Sequence, residues 1–277
     1  MLKTHFLKEL SLAQACRTGS RGTDVRKIQE WLNLWRYARP DWALTKVDMD
    51  GVFGPQTAFA VKEFQSRSKL PASGAVDQKT FAKLCAPLAG AFGAAKTDLT
   101  PTPSPKGKGI MRLIVMYAQS HLAAQARELG CNQGPWVRAY MDGQEGKDFP
   151  WCAGFVQTIF DLACSAVGFK FTEVMPRTFS CDTIGLFALS QNRLIPQAQI
   201  AKRFKEIAPG DVFLVKHPKN NLDWTHTGLI ESKGKGYLIT IEGNTNDEGS
   251  REGYEVCRRR RDLRTERLDV FVVKCKA

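Results

Sequence analysis

The sequence predicts an α+β protein: a small helical domain followed by a larger domain with an antiparallel sheet. Three observations carry this reading. Apolar residues recur at helical spacing through residues 1–85. Residues 86–109, APLAGAFGAAKTDLTPTPSPKGKG, are rich in Pro, Ala, Gly, Thr and Ser and keep no apolar period, the composition of a semi-extended linker. Between residues 210 and 275 the pattern turns to short strands punctuated by glycine. The 277 residues are 43% hydrophobic, enough for two modest cores. The expected division is 1–85, 86–109 and 110–277.

In the N-terminal domain Thr23 is the expected N-cap of a first helix, with Val25, Ile28, Leu32 and Trp35 on its inner face. A second helix begins at Pro55, where the missing N–H would be unpaired anyway, and turns Ala60, Val61 and Phe64 inward. A third runs from about Asp77 with Phe81 and Leu84 buried. Asp50-Gly51-Val52-Phe53-Gly54 supplies a tight turn between the first two. Asp48 and Asp50 lack the further acidic residues of a calcium loop, so no metal is expected there. The strings GSRGTDVRKIQEWL, DGVFGPQTAFAVKEFQ and LPASGAVDQKTFAKL, over roughly residues 19–85, resemble a peptidoglycan-binding domain of the three-helix type. The resemblance implies bacterial peptidoglycan as the partner, with Phe53 and Gln65 as substrate-binding positions that also serve the core. The connection Tyr37 to Met49 is longer and more aromatic than that resemblance leads one to expect.

In the C-terminal domain Met111 to Leu129 is helical in pattern. Pro150 marks a second helix start, and Phe155, Val156, Ile159, Phe160 and Ala163 form its buried stripe. Cys152 falls in the first turn. Unpaired backbone N–H groups and the positive end of the helix dipole there favour thiolate, the reactive form. The eight cysteines are irregularly spaced with no Cys-x-x-Cys pair, which argues against a zinc site and a disulfide framework. Cys164 and Cys275 read as small buried hydrophobes, and Cys181 is the second choice as nucleophile.

Candidate strands are Val212 to Lys216, Thr227 to Ser232, Tyr237 to Glu242, Glu255 to Arg259 and Leu268 to Lys274. A hairpin turning at residues 234–235 sets His226 opposite Glu242 to Asn244. A base and its orienting partner then meet across neighbouring strand ends, and either Glu242 or Asn244 can be that partner. His5, His121 and His217 gain no such partner from the register. The motifs PWCAGFV, APGDVFLV, WTHTGLIE and IEGNTN, in that order over about residues 110–275, resemble a CHAP domain, the cysteine, histidine-dependent amidohydrolase/peptidase class of papain-like cell-wall hydrolases. The resemblance implies a papain-like fold with Cys152 as nucleophile, His226 as base, Glu242 as orienting residue, Asn244 as assisting polar group, and no cofactor. Trp151 and Trp224, beside the two motifs, are expected to bind substrate.

The expected function is cleavage of an amide bond in peptidoglycan stem peptides, by an N-acetylmuramoyl-L-alanine amidase or an endopeptidase. The net charge of +12 favours polyanionic partners, among them a bacterial envelope. Arg258-Arg259-Arg260-Arg261 is the densest patch and reads either as a solvated strand end or as a binding site. No nucleic-acid recognition motif accompanies the charge, so nucleic acid is not an expected partner. No apolar run reaches the ~18 residues of a transmembrane helix. The opening MLKTHFLKEL has no apolar signal region, so synthesis in the cytoplasm and release by a phage holin or a secretion machine are expected. A phage endolysin is the first expectation and a secreted antibacterial effector the alternative. A non-catalytic wall-binding or virion structural protein is the alternative of a different class, and the Cys-His-Glu/Asn set stands against it.

Overall fold

The computed structural model describes residues 3–93, 106–220, 222–246 and 253–274. Residues 94–105 of the expected linker and Cys275 lie outside that range. Contacts divide the chain into two compact units, residues 1–90 with 127–149 and residues 91–126 with 150–277.

The first unit contains α1 (Lys3–Glu9), α2 (Thr23–Ala38), α3 (Pro55–Arg67) and α4 (Gln78–Leu84). The apolar stripes close on one another: Val25, Ile28 and Leu32 of α2, Ala60, Val61 and Phe64 of α3, and Phe81 and Leu84 of α4 are all buried. Pro55 opens α3, and Asp77 caps α4 by accepting from the Thr80 amide at 2.7 Å. Thr23 is not a cap. It is the first residue of α2, preceded by Gly22 at φ 110°, a conformation that needs glycine. The Gly22 amide donates to Gly51 O at 2.9 Å, tying the helix start to the Asp50–Gly54 turn.

Two buried glutamines hold the turns of this unit. Gln29 Nε2 donates to Asp50 Oδ1, Val52 O and Thr57 Oγ1, and its Oε1 accepts from Gly51 N. Gln65 Nε2 donates to Ser73 Oγ, Ala75 O and Thr80 Oγ1, and its Oε1 accepts from Gly74 N. Each amide satisfies backbone groups that burial would otherwise strand. Gln65 and Phe53, expected as substrate-binding positions that also serve the core, are 1% and 0% exposed and lie in the core. Asp50 also accepts from Val52 N at 2.8 Å, a turn-forming role. Among the described residues no group of His, Cys, Asp and Glu is arranged to hold a metal.

The boundaries differ from the expected ones in two places. Ala86–Gly93, assigned by composition to the linker, is helix α5. Alanine favours helix, and Leu88, Ala91 and Phe92 are buried. Residues 127–149, expected in the C-terminal domain, belong to the first unit. They include α7 (Pro135–Tyr140), which follows α6 (Lys106–Ala123) of the second unit. Arg138 of α7 donates to Glu9 at 2.8 and 2.9 Å, to Glu30 at 2.6 and 3.2 Å, and to Glu145 at 2.8 Å. Trp136 meets Trp31 edge-on at 6.3 Å. Glu9 and Glu30 are 129 and 108 residues from Arg138 in sequence, and no local period reports them.

The second unit is built on a six-stranded antiparallel sheet ordered β1-β6-β2-β3-β4-β5. The strands are β1 (Leu194–Ile195), β2 (Val212–Lys216), β3 (Trp224–Gly234), β4 (Tyr237–Thr245), β5 (Glu255–Asp262) and β6 (Leu268–Phe271). The helices α8 (Cys152–Ala166), α9 (Cys181–Ser190) and α10 (Gln197–Arg203) complete it with α6. The helix–sheet composition is the expected α+β class. All five expected strands are present, and β3 starts three residues early, which puts His226 within a strand. Phe213, Ile230, Leu238, Leu268 and Val270 of the sheet form a core with Ile195, Ile200 and Ile207. Helix α8 packs on β3, β4 and α6.

Candidate active site

Cys152 is the first residue of α8. Glycine at position 243 lets this helix start lie on β4. A Cβ there would come within 2.7 Å of Phe155 Cβ and 2.8 Å of Trp151 Cζ3. Trp151 is consequently 0% exposed. This residue, expected to bind substrate, spaces α8 from β4.

The β3–β4 hairpin closes through Lys235-Gly236, with Gly236 at φ 82°. Its pairs include Ile230 with Thr240 and Leu229 with Ile241. Counting on in the same register sets Glu242 opposite Gly228 and diagonal to His226. A Cβ on Gly228 would meet Phe213 Cε1 at 2.7 Å and Glu242 Cγ at 3.0 Å, so the glycine leaves the space that the Glu242 side chain crosses. His226 Nε2 and Glu242 Oε2 are 2.9 Å apart. Of the two residues left open by the register, Glu242 is thus the one bonded at Nε2. Asn244, buried and at φ 58°, sits where the β4–β5 pairing shifts between Glu242 and Thr245.

Glu242 is fully buried and saturated with donors. Its Oε1 accepts from Thr240 Oγ1 at 2.5 Å and Arg261 Nε at 2.8 Å, and its Oε2 accepts from Arg261 Nη2 at 2.5 Å. Burial pushes the carboxyl pKa up, but bonds and charge from His226 and Arg261 outweigh it and hold the value at about 2. For His226, burial works against the charged ring, while Cys152 and Glu242 favour it and raise the pKa to about 9. The Cys152 pKa is held well below the usual thiol range. The Cys181 thiol, 3.8 Å away, is the largest cause; burial opposes it, and His226 and the Thr227 amide assist. All three shifts run toward the charged forms: thiolate, imidazolium and carboxylate. Nδ1 of His226 has no partner at hydrogen-bond distance, and with Nε2 engaged it is the nitrogen left for the sulfur. Such contacts are commonly long before substrate arrives. Cys152, Cys181 and His226 retain 5, 9 and 5% exposure and Glu242 none, so solvent reaches the reacting end of the set and not its carboxylate.

Arg261 is the member that the sequence concealed. Alternation along β5 splits the run of four arginines. Arg258 pairs with Glu231 at 2.6 Å, and Arg260 lies over the Tyr237 ring at 4.3 Å. Arg259 reaches Asn246 O at 3.1 Å. Arg261, buried, holds Glu242 and also Glu266 at 2.7 Å. The run is neither a uniformly solvated strand end nor a uniform binding patch. The available signal was the period of two, which turns Arg259 and Arg261 to the face opposite Arg258 and Arg260.

Trp224, expected to bind substrate, is 3% exposed and has a structural role. Its amide donates to Asp182 Oδ1 at 2.6 Å and its indole to Asp269 Oδ2 at 3.0 Å. Its ring fills the place of the Cβ that Gly185 lacks. Gln157, buried in α8, is also bonded to both backbone groups of Thr178, accepting from its amide at 3.0 Å and donating to its carbonyl. Gln157 and Trp224 thereby anchor the segment that carries Cys181.

Comparison with known proteins bears on the first unit. Residues 21–84 match the family described as "Putative peptidoglycan binding domain". The chain is 45% identical over 64 residues to the N-acetylmuramoyl-L-alanine amidase CwlL of Bacillus licheniformis, a stretch covering 23% of this chain and 18% of the relative. The chain thus spans about a fifth of the length of that relative. No solved structure matches the chain.

Proposed function

We propose that this protein is a peptidoglycan hydrolase that cleaves an amide bond of the wall stem peptides by Cys-His catalysis in a CHAP-type domain. The observation that carries the reading is the convergence of Cys152, at a helix start, with His226, whose far nitrogen is bonded to the buried Glu242. The match of residues 21–84 to a peptidoglycan-binding family supplies the polymer. The name of the Bacillus relative, an N-acetylmuramoyl-L-alanine amidase, makes the muramoyl–alanine junction the first bond to test.

In this reading the Cys152 thiolate attacks the amide carbonyl. Backbone N–H groups at the start of α8 face the oxyanion. The His226 imidazolium gives its proton to the leaving amine, and the neutral ring then takes a proton from the water that releases the thioester. Glu242, fixed by Thr240 and Arg261, orients the ring and balances its charge. The first unit keeps the catalytic unit near its polymer and raises the effective concentration of stems. Host lysis by a phage endolysin released through a holin is the setting that this activity and the basic charge suit.

Digestion of purified sacculi followed by mass spectrometry of the fragments tests the reading. New free N-terminal alanine, or new stem or cross-bridge termini, is the expected product. New reducing sugar ends without new amines would overturn it. The rate should also hold across neutral pH and fall on both sides. As pH rises through about 9, His226 loses the proton that the leaving amine requires. As pH falls below the depressed Cys152 value, the thiolate is protonated and attack stops. A pH–rate profile of kcat/KM checks this, and a rate still climbing beyond pH ~9 would contradict His226 as the acid.

A further inference from the structure

We propose that Cys152 and Cys181 are a reversible disulfide pair, making the candidate active site also a site of oxidative modification. The two sulfurs are 3.8 Å apart, in contact and unbonded. A disulfide needs about 2.05 Å, so side-chain rotation has to close the remaining gap. Each cysteine is the first residue of its helix, Cys152 of α8 and Cys181 of α9. Three sets of hydrogen bonds fix the Cys181 segment: one to α8, one within the segment and one to β3. Gln157 bonds both backbone groups of Thr178, Ser180 caps α9 by accepting from Thr183 N at 3.2 Å, and Asp182 accepts from Trp224 N at 2.6 Å. Neither sulfur therefore has to search for the other. His226 and the contact with Cys181 favour the Cys152 thiolate, the form that oxidants attack.

The chemistry balances with a two-electron oxidant of the hydroperoxide class. The Cys152 thiolate attacks the O–O bond of hydrogen peroxide, giving a sulfenic acid and hydroxide. The Cys181 sulfur then attacks the Cys152 sulfur, the S–S bond forms, and hydroxide leaves. The Cys181 proton and one proton from the medium convert both hydroxides to water. The two sulfurs lose two electrons and the peroxide gains them. A dithiol reverses the bond by exchange. The disulfide removes the nucleophile, and it also keeps Cys152 from the irreversible sulfinic stage. The effect on activity rests on the reading of Cys152 as nucleophile; the bond itself does not.

The test treats the reduced full chain with excess hydrogen peroxide. Peptides are then mapped under non-reducing conditions while hydrolysis of sacculi is followed before and after dithiothreitol. A Cys152–Cys181 linked peptide, a loss of activity of about tenfold or more, and its return with dithiothreitol are expected. Cys181→Ser treated in the same way should accumulate sulfinic acid at Cys152 that dithiothreitol does not remove. Absence of the linked peptide from the oxidised wild type would overturn the proposal, as would equal protection of Cys152 in Cys181→Ser. A linked peptide that forms and reverses in a chain with no hydrolysis when reduced would uphold the disulfide and remove the hydrolase reading.

Discussion

Cys152→Ala should lower peptidoglycan hydrolysis by roughly 10⁴-fold or more, the scale seen when the nucleophile is removed from a triad. The fold should survive, because the change deletes one sulfur from a site that keeps slight solvent exposure. Binding to sacculi should persist as well, since the family match that supplies it lies at residues 21–84. Three measurements separate these effects: turnover on sacculi, co-sedimentation with them, and thermal unfolding. Turnover above a tenth of wild type would remove Cys152 as nucleophile and leave Cys181 as the alternative. A parallel loss of binding and folding would show that the substitution acts on structure.

The second large effect is expected at Arg261. Arg261→Ala removes both of the guanidinium bonds to Glu242 and leaves that carboxylate buried with only His226 and the Thr240 hydroxyl as partners. Breaking a buried pair by removing one partner costs about 3–5 kcal/mol, because the remaining charge is uncompensated. In a unit of this size the melting temperature should fall by about 10 °C. Burial is the largest influence on the Glu242 pKa and pushes it up; without Arg261 that push is less opposed. A Glu242 that takes up a proton no longer balances the imidazolium, so the alkaline limb of the pH–rate profile should move down from about 9. A residue with only a structural role would lower the melting temperature and leave that limb where it is. Arg261→Lys should recover part of the stability, since the charge returns without the planar fork that grips both oxygens.

How much of this was legible beforehand depended on the range of the interaction. The three-helix core of the first unit was readable because its period is local: Val25, Ile28, Leu32 and Ala60, Val61, Phe64 report their own burial by spacing. The placement of Cys152 at a helix start and of His226 beside Glu242 was readable because a helix start and a hairpin register are also short-range features. Phe53, Gln65, Trp151 and Trp224 look like ligand-binding residues in a string of letters, and all four are buried in structural roles. An aromatic or amide side chain serves a core and a binding face equally well, so its identity alone does not separate them.

The sequence by itself determined the α+β class, the helix whose first turn carries Cys152 and the strand pairing that brings His226 near Glu242. The tertiary structure decided the rest. It chose Glu242 as the residue bonded at Nε2, because Gly228 leaves space for its side chain and Asn244 falls where the β4–β5 pairing shifts. It moved residues 127–149 into the helical unit, because Arg138 finds its carboxylates there. It took Arg261 out of a basic run and made it the counter-charge of the buried carboxylate. The physical reason is the same each time: the free energy of a buried charge or amide depends on partners that arrive from distant parts of the chain, and no local pattern encodes them.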